Sequence, residues 1–461
     1  MLGQLNLDDL GTLLGQQHGA HRTGDHLGQI DDADALKWSC HAQVSPMCAR
    51  LAKFLRVGRG SSVAAMLEGV RVLDLTQYLS GPSCTLLMAG LGAEVIKVEP
   101  GPTGDAARLL PIVKDGHSSY FVQQNRGKQS IGVDFSSEAG WALIAELAAK
   151  CDVFIENFGH GVLAKRGLDP DTLRAASPGL IYASISTFGR TGSKAHLPGF
   201  DLIAQAYAGV PALTGEPDGA PLGAGVPFGD VGAGMMAFGA ISAALFARAS
   251  TGEGQFLDVS MVETIFNMHP FAVQGPSVTN GKARLRRTGQ HFGSVPPAGT
   301  YQGPEGWVVL HVLDNQWGRL CEAAESMGLG EMERFQTAQG RADNRAELSD
   351  LLESWMQSYP SDDALIEHLE AHRIPVARVI DPADAHLEPW YVEQGAVTTV
   401  EDPERGSINV PGFPFRSTSI PRRETEPLAP RLGEHTDNVL ASLLDWGADQ
   451  IAAARTQGTV F

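Results

Sequence analysis

The stretch VRVLDLTQYLSGPSCTLLMAGLGAEVIKVE, Val70 to Glu99, decides the fold. VRVLDLT (Val70–Thr76) is a run of β-branched and aliphatic residues with the length of a buried strand. Gly81-Pro82 turns the chain, SCTLLMAGLGA (Ser83–Ala93) is short and helical, and EVIKVE (Glu94–Glu99) reads as a second strand. A strand, a crossover helix and a second buried strand make a β-α-β unit, the seed of a doubly wound parallel sheet.

The same alternation continues outward. SIGVDF (Ser130–Phe135) precedes the helical EAGWALIAELAAKC, DVFIENF (Asp152–Phe158) precedes the helix-like GVLAKRGL, and LIYASISTFG (Leu180–Gly189) closes the series. GEGQFLDVSMVETIFN (Gly252–Asn267) reads as a strand running into a helix. The expectation is an α/β protein whose large Rossmann-like domain, built on a mainly parallel sheet, spans 66–275. Pro276–Pro297, rich in Gly, Arg and Ser, reads as a linker. A hairpin in YQGPEGWVVLHV opens a smaller α+β domain over 298–390, and the segment 391–461 returns to the large domain.

Residues 1–65 carry little apolar periodicity and end in GRGSS (Gly58–Ser62). They read either as an extension without fixed order or as the product of a start assigned too early, with Met66 the natural start; the second is the expectation taken here.

Composition narrows the function. The chain has 461 residues, 43% hydrophobic residues and a formal net charge of −18, and no dense Lys/Arg tract offsets that charge, which argues against a nucleic-acid partner. Cys40, Cys48, Cys84, Cys151 and Cys321 lack metal-type spacing and read as reduced thiols. MLGQLNLDDLG lacks the basic-then-apolar order of a secretory signal. The uncharged run Val231–Ala247 falls just short of a membrane span, and its many Gly and Ala residues suit a buried helix packed closely on other backbone. A soluble, cytoplasmic protein with no membrane partner is expected.

Absent motifs exclude further classes. The β-α turn LTQYLSGP lacks G-x-G-x-x-G, so a dinucleotide site is not expected. G-x-x-x-x-G-K-[ST], H-E-x-x-H and G-x-S-x-G are also missing, which leaves P-loop, zincin and nucleophile-elbow chemistry unsupported. No metal site is expected. Basic residues Lys97, Arg108, Lys114, Arg126, Lys128 and Arg166 lie near strand ends or loops, where ligands of open α/β sheets bind, so they are candidates for holding phosphates. Asn157, Phe158 and Arg166 in ENFGHGVLAKRGL suit a ligand with a base, a ribose and phosphates.

Asp230 is the other outstanding residue. It heads VPFGDVGAGMMAFGAISAALFARAS and is the one charge there before Arg248. An Asp at a helix start is usually a cap. Among glycines that admit a substrate it can also be a nucleophile.

The motifs VLDLTQYLSGP, LGAEVIKVEPGPTGD, NRGKQSIGVDF, VFIENFGHGVLAKRGLD, LIYASISTFG, PGFDLIAQAYAG, GVPFGDVGAGM, TGEGQFLDVSMVE and LGEHTDNVL resemble, in order and spacing, those of the class III CoA-transferases, the family of formyl-CoA transferase, carnitine CoA-transferase and the α-methylacyl-CoA racemases. The resemblance runs from about Leu67 to the C-terminus. It implies that Asp230 is the nucleophile. Asn157, Phe158, Gly159 and Arg166, with Val133, Asp134 and Ser80, are the implied CoA contacts. CoA thioesters are then substrates, a small organic acid is the acceptor, no cofactor is permanently bound, and the protein is an interlocked homodimer.

Resemblance also implies a covalent relay, with the helix N-terminus favouring ionised Asp230 and N–H groups of the adjacent glycines offering oxyanion donors. The racemases carry a His where this chain has Phe200, and a phenyl ring moves no proton; His196 would substitute only with a rearranged loop. Asp314, near the position of a racemase carboxylate, reads as a surface group. A racemase is the runner-up, and a non-catalytic CoA-binding protein is a third reading against which the intact Asp230 argues. Leu79 and Phe200 stand where formyl-CoA transferase carries Gln and Tyr, so a larger or more apolar acid is expected. A dicarboxylate such as succinate stays open as the donor-derived acid, with Arg284, Arg286 or Arg287 as its partners.

Overall fold

The structure is a computed structural model. It describes residues 65–461 except 115–116, 293–295, 405, 419–422 and 424, so the expectations on residues 1–64 lie outside the described residues.

Six strands form one parallel sheet: β1 (Arg71–Asp74), β2 (Glu94–Pro100), β3 (Gln129–Val133), β4 (Val153–Glu156), β5 (Ile181–Ser186) and β6 (Phe256–Ser260). Their order is β3-β2-β1-β4-β5-β6, and every pairing is parallel. Strand order therefore reverses between β1 and β4. In such sheets the crevice beyond the carboxyl ends of the strands at that switch point takes the ligand.

Helices cover both faces. On one side, α1 (Ser80–Gly90) packs with the long α4 (Phe228–Thr251); on the other lies α2 (Glu138–Ala148), joined by the C-terminal α5 (Thr436–Leu444) and α6 (Ala448–Thr456). The two apolar layers these make are separate. Phe154, Tyr182, Ile144 and Leu440 belong to one, Val72, Ile155, Ile181 and Ile241 to the other. Alternate residues of β4 thus face opposite layers, as a strand buried on both sides requires.

The first turn is tighter than the sequence suggests. α1 begins at Ser80, so Gly81 and Pro82 lie inside its first turn, where proline's missing N–H costs nothing. A Cβ on Gly81 would lie 2.1 Å from Thr76 Cγ2. GVLAKRGL yields a single 3₁₀ turn, Ala164–Arg166, in place of a helix.

Beyond residue 297, β7 (Ala298–Gln302) and β8 (Trp307–His311) form the expected antiparallel hairpin, and β9 (Val376–Arg378) completes a three-stranded sheet with its own apolar cluster around Tyr301, Leu310, Phe335 and Leu352. Asp314 is tied to the buried Arg341, whose guanidinium lies 4.6 Å from the Trp317 ring. Its carboxylate therefore has a structural task. The chain end returns to the large sheet, where the Thr459 carbonyl accepts from Asp134 N at 2.9 Å and Phe461 N donates to Gly132 O at 3.0 Å.

α4 departs from the reading of a wholly buried helix. Gly234 lies so close to α1 that a Cβ there would sit 2.2 Å from Ser83 Oγ and 2.5 Å from Ser80 O. The far side of α4 is open: Met235 and Met236 are about half exposed, and Phe246 is 84% exposed. By length and composition the helix would pass as a membrane span, but one of its faces is committed to the core.

Candidate functional site

The switch point is stitched by Asn157, just past β4. Its Oδ1 accepts from Gln77 N at 2.9 Å, and its Nδ2 donates to Gln77 O at 2.8 Å and to Ser80 Oγ at 3.2 Å. A single side-chain amide so fixes the turn after β1 against the end of β4. A cavity of about 300 Å³ opens there, lined by residues that include Ser80, Asn157, Phe158, Gly159 and Asp230. Five residues expected to act together thus share one wall.

The other three expected CoA contacts stand apart. Val133 ends β3 and is buried, and Asp134 follows it, its carboxylate accepting from Ser136 N at 2.8 Å and Ser136 Oγ at 2.6 Å. Arg166 is exposed with its guanidinium 5.5 Å from the Trp141 ring. Trp141 stacks on Phe135 at 4.7 Å, and Phe135 lies 6.2 Å from Phe158. One aromatic chain therefore links Arg166 and the Asp134–Phe135 segment to Phe158 at the cavity's rim.

Most of the basic residues proposed for phosphates are already engaged. Lys97 pairs with Asp105 at 2.8 Å, Lys128 with Asp74 at 3.2 Å, Arg108 with Glu99 at 2.6 Å and Arg126 with Glu426 at 3.5 Å. Both lysines are buried, and a buried cation needs such a partner. Burial would raise Asp74, but Lys128 and Lys97 together with hydroxyls of Thr76 and Thr85 hold it at about 2. Burial also pulls Lys128 down to about 8 despite Asp74. This network supports the turn above it: Lys97 Nζ donates to Thr76 O at 2.7 Å, and Asp105 Oδ1 accepts from Tyr78 N at 3.2 Å. The Lys114 side chain lies outside the described residues.

Asp230 is not the cap of its helix. It is the third residue of α4, and the cap comes from Asp201, the first residue of α3 (Asp201–Ala208). Asp201 Oδ1 accepts from Gly229 N at 2.7 Å and from Asp230 N at 3.3 Å, while its Oδ2 accepts from Gln205 Nε2 at 2.6 Å. Phe228 N and Val231 N donate to Val226 O and Pro227 O. Every N–H of this turn is therefore occupied, and Gly232 lies too far into the helix to have a free one. The expected oxyanion donors at these glycines are not available.

With capping done by Asp201, the Asp230 carboxylate is left to the cavity. Burial and then the neighbouring charge of Asp201 raise it from an ordinary 3.8 to about 6. The helix end does not win here, contrary to expectation, because Asp201 already occupies its N–H groups. Nearby Tyr120 is pushed upward by burial and by the charges of Asp230 and Asp105, which keeps its phenol protonated.

Sequence reading missed several residues of this wall: Gln77, Tyr78, His160, Ser186 and Arg190. Tyr78 has a φ of 62°, unusual outside glycine, and such outliers cluster at functional sites. Arg190 donates to both oxygens of buried Glu156 at 2.8 and 2.9 Å, and burial keeps Glu156 above its usual range even so. Phe200 lines the cavity, whereas His196 is exposed outside it. Arg287 donates to the carbonyls of Glu216, Pro217 and Gly219, Arg284 donates to Gly281 O, and neither they nor Arg286 reach the cavity wall. Among the described residues no cluster of His, Cys, Asp or Glu suits a metal ion, and Cys84, Cys151 and Cys321 are free thiols.

Comparison with known proteins agrees with the motifs. The model of CoA-transferase family III matches residues 67–436. Succinyl-CoA:glutarate CoA-transferase of Mus musculus is 33% identical over 431 residues, covering 90% of this chain and 98% of its own. Formyl-CoA:oxalate CoA-transferase of Streptomyces avermitilis is 33% identical over 411 residues, covering 86% and 99%. The crystal structure of a CAIB/BAIF family protein from Brucella suis superposes with a TM-score of 0.73 at 33% identity, covering 83% of this chain and 100% of that one.

Proposed function

The chain belongs to CoA-transferase family III, and from that premise we propose that it moves coenzyme A from an acyl-CoA donor to a carboxylic acid through a covalent intermediate on Asp230. The observation that carries this reading is the division of labour between two carboxylates: Asp201 caps α4, and Asp230 stands in the cavity wall without a hydrogen bond or ion pair to its carboxylate among the described residues.

The chemistry follows from what a carboxylate can exchange. Ionised Asp230 attacks the donor's thioester carbonyl; the C–S bond breaks, giving a mixed anhydride and CoA thiolate. The thiolate attacks the aspartyl carbonyl of that anhydride, releasing the donor acid and leaving an aspartyl-CoA thioester. The acceptor carboxylate then attacks this thioester, forming a second anhydride and freeing CoA thiolate again. Attack of the thiolate on the acceptor's acyl carbon yields the new acyl-CoA and regenerates Asp230. No water or redox partner enters. A carboxylate with a pKa of about 6 is ionised at neutral pH yet more basic than an ordinary Asp, which suits a nucleophile.

CoA binding is assigned to Ser80, Asn157, Phe158 and Gly159 in the cavity wall, and to Val133, Asp134 and Arg166 along the aromatic chain beside it. Gly159 N makes no hydrogen bond among the described residues, which supports it as a backbone donor to ligand. The part of the chain from 66 to 275 is then the CoA-binding domain, with 298–390 the smaller one.

A second copy of this chain is the proposed partner. The open side of α4, Leu202, Ile203 and Tyr207 of α3, and Phe271 and Val278 beyond it expose large apolar side chains that a second copy would cover. Replacing Asp230 by Ala tests the reading directly: turnover should fall to nearly nothing while CoA affinity is kept, and surviving turnover would remove Asp230 from the mechanism.

A further inference from the structure

The cavity is unevenly lined, and the unevenness bears on which acyl groups it takes. Its polar end is the switch point, with Gln77, Ser80 and Asn157. Tyr78, Phe188, Leu197, Pro198, Phe200 and Met261 make an apolar stretch of its lining, and His160, Ser186, Thr187 and Arg190 line another part. Tyr78 and Phe200 meet edge to face, ring centroids 6.2 Å apart and planes 85° to each other.

Both rings are held by the backbone that carries them. Tyr78 sits in the left-handed region and donates its N–H to Asp105, which is buried and paired with Lys97. Phe200 immediately precedes Asp201, whose carboxylate grips the turn bearing Asp230. The aromatic pair is therefore fixed beside the proposed nucleophile, and it remains open to solvent, Phe200 being 68% exposed.

Arg190 is the one lysine or arginine in this wall among the described residues, and both oxygens of Glu156 hold it. A second carboxylate placed against the two rings would meet apolar surface and no lysine or arginine of this chain free of a carboxylate, which is costly.

We propose that the acyl group handled here is that of an apolar monocarboxylic acid, its hydrocarbon body lying on the Tyr78–Phe200 pair, and that Phe200 is a specificity-determining residue. This rests on the covalent role of Asp230. The named relatives carry succinyl, glutarate or formyl and oxalate in their names, so the proposal separates this chain from them in substrate.

The test loads the full-length protein with four thioesters matched in length: butanoyl-CoA against succinyl-CoA, and pentanoyl-CoA against glutaryl-CoA. The readout is the rate at which the Asp230 peptide gains CoA. The monoacid thioesters should react about tenfold faster or more than their partners, the scale on which apolar pockets discriminate. Phe200→Ala should shrink that ratio, and Phe200→Arg should shift it towards the diacids.

Equal or faster labelling by the diacids, or a ratio indifferent to both Phe200 variants, would overturn the proposal while leaving covalent transfer intact. Transfer between acids without any label on Asp230 would instead overturn the reading on which it rests.

Discussion

Asp201 Oδ1 accepts from the backbone N–H groups of Gly229 at 2.7 Å and Asp230 at 3.3 Å, so the helix that carries the proposed nucleophile is capped from another helix, 28 and 29 positions away in sequence. This arrangement makes two separable demands on Asp201, an acceptor atom and a negative charge. Asp201→Asn keeps an acceptor and removes the charge. Because Asp201 helps hold Asp230 near 6, the acid limb of the pH–rate profile should move to lower pH in that variant. Asp201→Ala should also lose about 1 kcal/mol of stability with the cap. An unmoved acid limb in Asp201→Asn would mean its charge is not felt at Asp230.

Asp230 itself should cost the fold stability above its pKa. Its folded value, about 6, lies above its ordinary 3.8, so its contribution is fully present below the lower value and is lost as pH rises through the upper one. Asp230→Asn should therefore melt at a higher temperature than the native protein at pH 8, by an amount equivalent to at most ~3 kcal/mol, and the gain should shrink at pH 4.5. Thermal melts at the two pH values check this. A gain that is the same at both would assign the effect to packing.

The buried Lys97–Asp105 pair supports the Tyr78 turn from below. Lys97→Met takes the cation away from the buried Asp105 and should destabilise the protein by about 3–5 kcal/mol. Adding Asp105→Leu should return much of that stability but not the activity, because Tyr78 loses the acceptor for its N–H. Denaturant melts and turnover on the single and double variants separate the two effects.

Phe246 lies on the open side of α4 and is 84% exposed. If a second copy covers that side, Phe246→Asp should lower the mass seen by sedimentation to that of one chain, 49.0 kDa. A monomeric native protein would contradict the proposed partner.

What was legible in the sequence was what local pattern encodes. The unit β1-α1-β2 could be read because buried parallel strands are continuous apolar runs, and the later strands repeat that signal. Asp230 stood out as a lone charge ahead of a long apolar helix. What was not legible was pairing at a distance. Lys97 and Lys128 looked available for phosphates because their partners Asp105 and Asp74 sit on other segments. Nothing near Asp230 announces that Asp201 will cap its helix, and the glycines beside it look like open donors until that cap is seen. The open side of α4 is hidden for a related reason, since Gly- and Ala-rich composition reports one close-packed side and is silent on the other.

The proposed mechanism turns on covalent attachment of CoA at Asp230. Mass spectrometry of the protein after brief incubation with a panel of acyl-CoA thioesters tests it most directly. A CoA-sized adduct on the peptide containing Asp230, removed by hydroxylamine and absent in Asp230→Ala, is the predicted result. Turnover of those same thioesters with no adduct at Asp230, or an adduct on another residue, would contradict it.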